Sequence, residues 1–259
     1  MMNLWRRAMP PRPSLMVGDE QACRRELGAL QAACVQLSFE QLSMSEASAK
    51  LAWADLVPRF RALRESLTSE HLDGPICLEA YSLAADCCAF AADKGELLKC
   101  LLRLNGGLAC GSPREAEFHA CAALFFGCGP SGHAESLASL RATPPRLLRH
   151  PTMRCALDAL AALWDPFAFI ACLHRRSCTP LMRALCAPWL DEARALGLCV
   201  LAAAFKCYPA GGAAKLLAIQ PEQLGALLSS AAANPANPAQ LVSAARAFAM
   251  DQSELVFGA

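Results

Sequence analysis

The chain has 259 residues, of which 55% are hydrophobic, 18% charged and 7% aromatic; 24 Lys and Arg face 23 Asp and Glu, for a formal net charge of +1. So apolar a composition excludes a wholly disordered chain, and so small a net charge excludes a polybasic nucleic-acid tail or an acidic solvating protein. The length suits one large domain or two small ones, each with a real core.

Residues 1–18 read as a flexible leader. They carry Arg6, Arg7 and Arg12 and then Pro10, Pro11 and Pro13, with no apolar stretch of the kind a secretory signal needs. From residue 19 almost every segment reads as helix. Cys23, Leu27, Leu30, Cys34 and Leu37 recur at steps of three and four, as do Trp53, Leu56, Val57, Phe60, Leu63 and Leu67, and then Leu78, Tyr81, Ala85, Cys88 and Ala92. Asp93-Lys94-Gly95 is expected to break the chain. A short helix over Glu96–Leu104 is expected to end at Asn105-Gly106-Gly107. Ser112-Pro113-Arg114-Glu115 has the spacing of a capping box opening a helix that runs to about Gly127. A shorter helix follows at Glu135–Leu140, stopped by Thr143-Pro144-Pro145.

Asp165-Pro166 and Thr179-Pro180 each read as a cap followed by proline at the first helical position. A long helix is expected over Pro188–Cys207, ended by Tyr208-Pro209-Ala210-Gly211-Gly212. Short helices follow over Ala213–Ala218 and Pro221–Ala231. Asn234–Pro238 reads as a linker, and Gln240–Met250 as a last amphipathic piece. No alternation predicts a large sheet, although Leu255-Val256-Phe257 has the pattern of one short strand. The fold class expected is therefore all-α: a stack of helical hairpins over 19–208, with 209–259 as a separate C-terminal region.

Fifteen cysteines are present, an odd number, with no CxxC pair. Most fall on apolar stripes, so they read as buried core thiols in a reducing compartment rather than as disulfides or zinc ligands. The adjacent Cys87-Cys88 shows no neighbouring cation in the sequence that would activate a thiol. The longest uninterrupted apolar run, Ala195–Phe205, is shorter than the roughly 20 residues of a membrane span. P-loop, HExxH and GxSxG patterns are absent, Gly127, Gly129 and Gly132 follow no predicted strand, and the five histidines lie on different elements; His119, on an apolar helix, reads as a satisfied core imidazole. These absences favour a protein without enzymatic activity, cofactor, metal, small-molecule substrate or membrane partner. Two basic clusters remain, Arg141, Arg146, Arg149, His150 and Arg154, and then His174, Arg175, Arg176 and Arg183; Lys206 and Lys215 flank the turn before the C-terminal helix pair. The candidates for nucleic-acid contact are Lys206, Lys215, Arg175, Arg176 and Arg183. A solvated face is the competing reading.

Four passages in order carry a family resemblance. They are Phe60-Arg61-Ala62-Leu63-Arg64-Glu65-Ser66-Leu67-Thr68 with Leu78-Glu79-Ala80-Tyr81; Ala91-Ala92-Asp93-Lys94-Gly95-Glu96-Leu97-Leu98-Lys99-Cys100-Leu101; Glu115–Phe126 with Leu137–Leu148; and His150–Leu157 leading into Asp165-Pro166-Phe167-Ala168-Phe169-Ile170. Together they resemble the SAC3/GANP family of PCI-type helical proteins, including its leukocyte receptor cluster and THP3-like members. Asp165-Pro166 stands where the family has Asn-Tyr.

The resemblance implies a PCI-like α-solenoid closed by a winged-helix domain, for which 209–259 is the candidate. It also implies a non-enzymatic scaffold that pairs with a second PCI-type subunit in a nuclear complex for mRNA export or processing, with RNA or DNA contact at the winged helix. The runner-up is a PCI-type subunit of the proteasome lid or of translation initiation factor three, with a cytoplasmic alternative to the nucleus. A thiol-based enzyme and a piece of a longer protein are the remaining readings.

Overall fold

The computed structural model describes residues 20–129, 133–233, 244, 245, 248 and 253–257. The expected leader and linker, and all of the last amphipathic piece except Ala244, Ala245 and Phe248, lie outside them. The described residues are mostly helical, with eleven α-helices and one two-stranded sheet. They divide into two compact units, 1–118 and 119–259, at a point inside one helix.

The first unit holds α1 (Glu20–Glu40), α2 (Glu46–Ser69), α3 (Pro75–Phe90), α4 (Lys94–Arg103) and the start of α5 (Glu115–Gly127). The three periodic stripes become its core. Leu27, Leu30, Phe60, Leu63 and Leu67 are buried, as are Ala84, Ala85, Cys87, Cys88, Leu97, Cys100 and Leu101. Alanine and cysteine on α3 let neighbouring helices approach closely. At one edge Trp53 stacks on Phe90 with centroids 5.0 Å apart, and its indole N–H donates to Gln41 at 3.0 Å.

The break between α3 and α4 falls earlier than the sequence suggests. Lys94 and Gly95 already belong to α4, and Asp93 is its cap, accepting from Glu96 N at 3.0 Å. The chain reverses at Ala91 and Ala92. Ala92 takes a left-handed φ of 57°, Asp93 N donates to Cys88 O at 2.8 Å, and Ala92 N to Ala89 O at 3.0 Å. This is a Schellman ending without the usual glycine. His71 after α2 and Ala218 further on repeat it, with φ of 52° and 49°. Beyond α4 a π-helical turn over Leu104–Leu108 leaves the helix at Gly107, whose φ of 113° suits glycine. The capping box at Ser112 does not form: Ser112 Oγ is buried without a partner, and the Glu115 carboxylate accepts from Gly111 N at 3.0 Å instead.

The second unit continues through α5 into α6 (His133–Ala142), α7 (Pro151–Ala161), α8 (Pro166–Leu173) and α9 (Pro180–Ala204). Both expected Pro-initiated caps are present. Asp165 Oδ1 accepts from the amides of Phe167 and Ala168 at 3.1 Å, and Thr179 Oγ1 from Met182 N at 3.3 Å. The long helix nevertheless begins at Pro180 and contains Pro188. That proline is exposed, so the carbonyl one turn back that loses its partner lies on the solvent side. His119 is buried with its Nδ1 3.3 Å from Thr143 Oγ1, as a satisfied core imidazole should be.

The helix over Pro188–Cys207 also ends sooner than expected. At Phe205 the backbone turns extended, and β1 (Cys207–Pro209) follows. Then come α10 (Ala210–Leu216), α11 (Pro221–Ala233) and, from the C-terminal residues, β2 (Glu254–Val256). The strands are antiparallel in the register Cys207 with Val256, Tyr208 with Leu255 and Pro209 with Glu254. The segment read as a turn is thus a strand and the opening of a helix. Their shared core is almost wholly apolar: Ile170, Leu198, Leu201, Leu217, Leu224, Leu228, Phe248, Leu255 and Phe257 among others.

Candidate functional site

Among the described residues, two places have a structure beyond packing. The first is the C-terminal assembly of the second unit. The last turns of α9 lead through Lys206 into β1, then α10 and α11, and the chain returns as β2. Three contacts close the loop: Phe257 N donates to Lys206 O at 3.0 Å, Ala210 N to Ser253 O at 3.0 Å, and Cys207 Sγ to Glu254 Oε2 at 2.8 Å. Leu255 and Phe257 point into the core while Glu254 and Val256 face outward, the alternation of a half-buried strand. Gly197 lets α9 approach its neighbours. A Cβ there would stand 2.8 Å from Leu217 Cδ2 and 3.2 Å from Phe167 Cε1. Arg194 crosses from α9 and donates to the carbonyls of Leu217 and Ala218, each at 3.2 Å, a cation on the last carbonyls of α10.

The sequence-predicted cations fall into two groups at opposite ends of α9. Lys206 and Lys215 are exposed beside β1 and at the end of α10. Arg175, Arg176 and Arg183 lie on the connection from α8 and on the first turn of α9. From Arg183 to Ala204 the helix rises on the order of 30 Å. The five residues therefore do not form one patch. Arg175 is already paired with Asp158 at 2.5 Å, and Arg183 donates to Cys178 O at 2.5 Å. Lys206, Lys215 and Arg176 are exposed. The outer face of α11 carries Glu222, Gln223, Ser229 and Ser230 and no cation.

The second place is a buried polar cluster in the first unit, which the sequence reading missed. Arg64 of α2 is 6% exposed. Its Nη2 pairs with the carboxylate of Glu96 on α4, its Nη1 lies 3.1 Å from Cys100 Sγ, and its Nε has no partner. Lys99 reaches the other Glu96 oxygen at 2.7 Å. Burial pushes the Glu96 carboxyl up, but Lys99 and Arg64 outweigh it and hold the group below its ordinary value. The guanidinium also lies 5.7 Å from the ring centroid of Tyr81, whose hydroxyl is 3.4 Å from Thr68 Oγ1.

A cavity of about 400 Å³ opens against this cluster, lined by Arg61, Arg64, Thr68, Tyr81, Glu96 and Lys99 among others. So the Cys87-Cys88 pair does have a cation in its neighbourhood: the charge of Arg64, whose Nη1 donates to Cys100 Sγ, reaches the Cys88 thiol. The cation comes from a helix 24 residues back, where no local spacing could reveal it.

None of the fifteen cysteines forms a disulfide, and most are buried. Among the described residues no helix is long and apolar enough to cross a membrane, and no three His, Cys, Asp or Glu side chains gather as a metal site. No protein-family model and no curated protein matches the chain.

Proposed function

We propose that the chain is a scaffold subunit without enzymatic activity, of the SAC3/GANP type, that pairs with a second PCI-type protein in a nuclear complex serving mRNA export or processing. One observation carries this reading. A run of packed helices is followed by the order helix, strand, helix, helix, strand, with β1 antiparallel to β2. That order is the one a winged helix closing a helical-hairpin stack requires, and the four motif passages precede it in sequence. Leu196 and Val200, one turn apart on α9, and Phe205 and Val256 are 41–48% exposed. Exposed apolar side chains of this kind suit a protein partner.

Nucleic-acid contact in this reading is weak and runs through phosphate. The outer face of α11 offers no Lys or Arg for base edges, so Lys206 and Lys215 would act as point charges. Purification of the tagged chain from its own cells, followed by mass spectrometry, tests the assignment. An export or processing partner together with a second PCI-type subunit is the expected result. Proteasome-lid or initiation-factor subunits would move the chain to the runner-up, and neither set would remove the family reading. Lys206→Glu combined with Lys215→Glu is expected to weaken RNA binding and to lower the salt slope by about 1.4, from about 0.7 per single-strand phosphate contact. An unchanged slope removes the nucleic-acid role.

A further inference from the structure

Arg64 has fewer acceptors than a buried guanidinium needs, and the shortfall lies against a cavity. Its Nη2 donates to the Glu96 carboxylate, its Nη1 donates at 3.1 Å to the Cys100 sulfur, a weak acceptor, and its Nε is buried with none. The residue is 6% exposed, so water does little to make up the difference. Glu96 is itself shared. Its other oxygen accepts from Lys99 at 2.7 Å, so one carboxylate serves two cations. Arg61 donates to Glu65 through Nε at 3.0 Å, and its two terminal nitrogens meet no acceptor among the described residues. These five side chains line the same cavity of about 400 Å³, which sets three cations against two carboxylates. Tyr81 lines it as well. Thr68 Oγ1 donates to Arg64 O at 2.8 Å, which leaves the Tyr81 hydroxyl as donor in the long 3.4 Å contact between them, a proton that a better acceptor can take. A second cavity, of about 320 Å³, shares Thr68 and Tyr81 with the first and is walled by Leu67, Leu72, Cys77 and the paired Asp73 and Arg103 among others.

We propose that the first cavity binds the phosphate group of a small organic phosphate monoester, held by Arg61, Lys99 and Tyr81 with the charge of Arg64 behind them, and that the organic body lies over Thr68 and Tyr81 toward the second cavity. Charge and shape both point to phosphate. A phosphate monoester is nearly a dianion at neutral pH and offers three strong acceptor oxygens, which answers a cavity with one positive charge in surplus. The donors come from three helices, Arg61 from α2, Tyr81 from α3 and Lys99 from α4, an arrangement that suits a tetrahedral group. A carboxylate presents two oxygens in one plane and would satisfy fewer of them. The terminal nitrogens of Arg61 form the planar fork that grips phosphate, and Lys99 adds a point charge with N–H groups beyond the one given to Glu96. Leu67, Leu72 and Cys77 supply the apolar wall that an organic body needs, and both cavities are of the size that small ligands occupy. A ligand seated there ties α2, α3 and α4 together. No covalent step is involved, and the site is independent of the scaffold assignment.

The test is isothermal titration of the full chain, at constant ionic strength, with phenyl phosphate, inorganic phosphate and acetate. Phenyl phosphate is expected to bind saturably at one site and at least as tightly as inorganic phosphate. Acetate is expected to bind about tenfold more weakly, the loss of one charge-assisted hydrogen bond. Arg61→Gln and Lys99→Gln are each expected to weaken phenyl phosphate about tenfold for the same reason. Both alter exposed side chains and leave the buried Arg64–Glu96 pair in place, so circular dichroism should show the folded protein in each. No saturable heat at millimolar phenyl phosphate, an equal affinity for acetate, or an affinity that neither substitution moves would each overturn the proposal. Binding of a phosphoserine peptide where phenyl phosphate fails would overturn it too, and would make the cavity part of a protein-docking surface.

Discussion

The α2–α4 region of the first unit and the C-terminal assembly of the second solve the same packing problem with opposite materials. The first places an arginine, a carboxylate and thiols between its helices. The second fills the space with leucine, alanine and phenylalanine and closes it with two three-residue strands. A polar core of this kind adds little net stability, because desolvation offsets most of the attraction, but it specifies which helix faces which. An apolar core stabilises in proportion to what it buries and tolerates adjustment. The two regions should therefore fail differently when altered.

The sharpest contrast is at Glu96. Glu96→Ala leaves Arg64 charged, buried and unpaired, and is expected to cost about 3–5 kcal/mol in urea unfolding. The double change Arg64→Met with Glu96→Leu is expected to return most of that loss, since the cost lies in the orphaned charge and not in the missing attraction. If the double variant were as unstable as the single one, the cluster would be a stabilising device and the comparison would fail. In the apolar region Leu228→Ala removes a fully buried side chain and is expected to cost about 2–5 kcal/mol. No second substitution at a neighbour should restore it, apart from one that refills the volume.

A smaller effect tests how tightly α9 is seated. Gly197→Ala forces a methyl group against Leu217 and Phe167, and is expected to cost about 1–3 kcal/mol through overpacking. The opposite sign is expected at the α3–α4 reversal. Ala92 pays for a left-handed backbone that glycine adopts freely, so Ala92→Gly should stabilise by on the order of 1 kcal/mol in the same urea assay.

That reversal also explains which parts of the fold the sequence made legible. Helical stripes were readable because every third or fourth residue had to be apolar, and the Asp165 and Thr179 caps because Asp-Pro and Thr-Pro favour one local geometry. Helix ends were not, because His71, Ala92 and Ala218 occupy positions where glycine usually signals the stop. The extent of α9 was misjudged because Pro188 lies on an exposed side, where a helix can absorb it. β1 was missed since three residues are too few to show alternation and its partner lies 47 residues on; β2 was readable from the buried Leu255 and Phe257 around Val256. Of the candidate sites, the exposed lysines could be read from charge alone. The Arg64 cluster could not: it joins Arg64, Glu96 and Cys100 across 32 and 36 residues, a coincidence that only folding produces.

The smallest expected effect is on pH, at the end of α9 where the basic residues crowd. Burial first, and then the charges of Arg194 and Arg183, hold His174 below its ordinary value of 6.5. The unfolded chain therefore binds a proton there more readily than the folded one. The sign follows from linkage: this contribution to stability is fully present above the unfolded value and is lost as pH falls through the folded one. His174→Gln should leave the melting temperature at pH 8 unchanged and flatten its decline between pH 7 and pH 5. Arg183→Gln, which removes one of the opposing charges while keeping a side chain able to donate to Cys178 O, should flatten the same decline by less. An unaltered decline in both variants would mean that the arginines at this end of α9 are screened by water and exert no field on the imidazole, leaving the basic cluster as a solvated face.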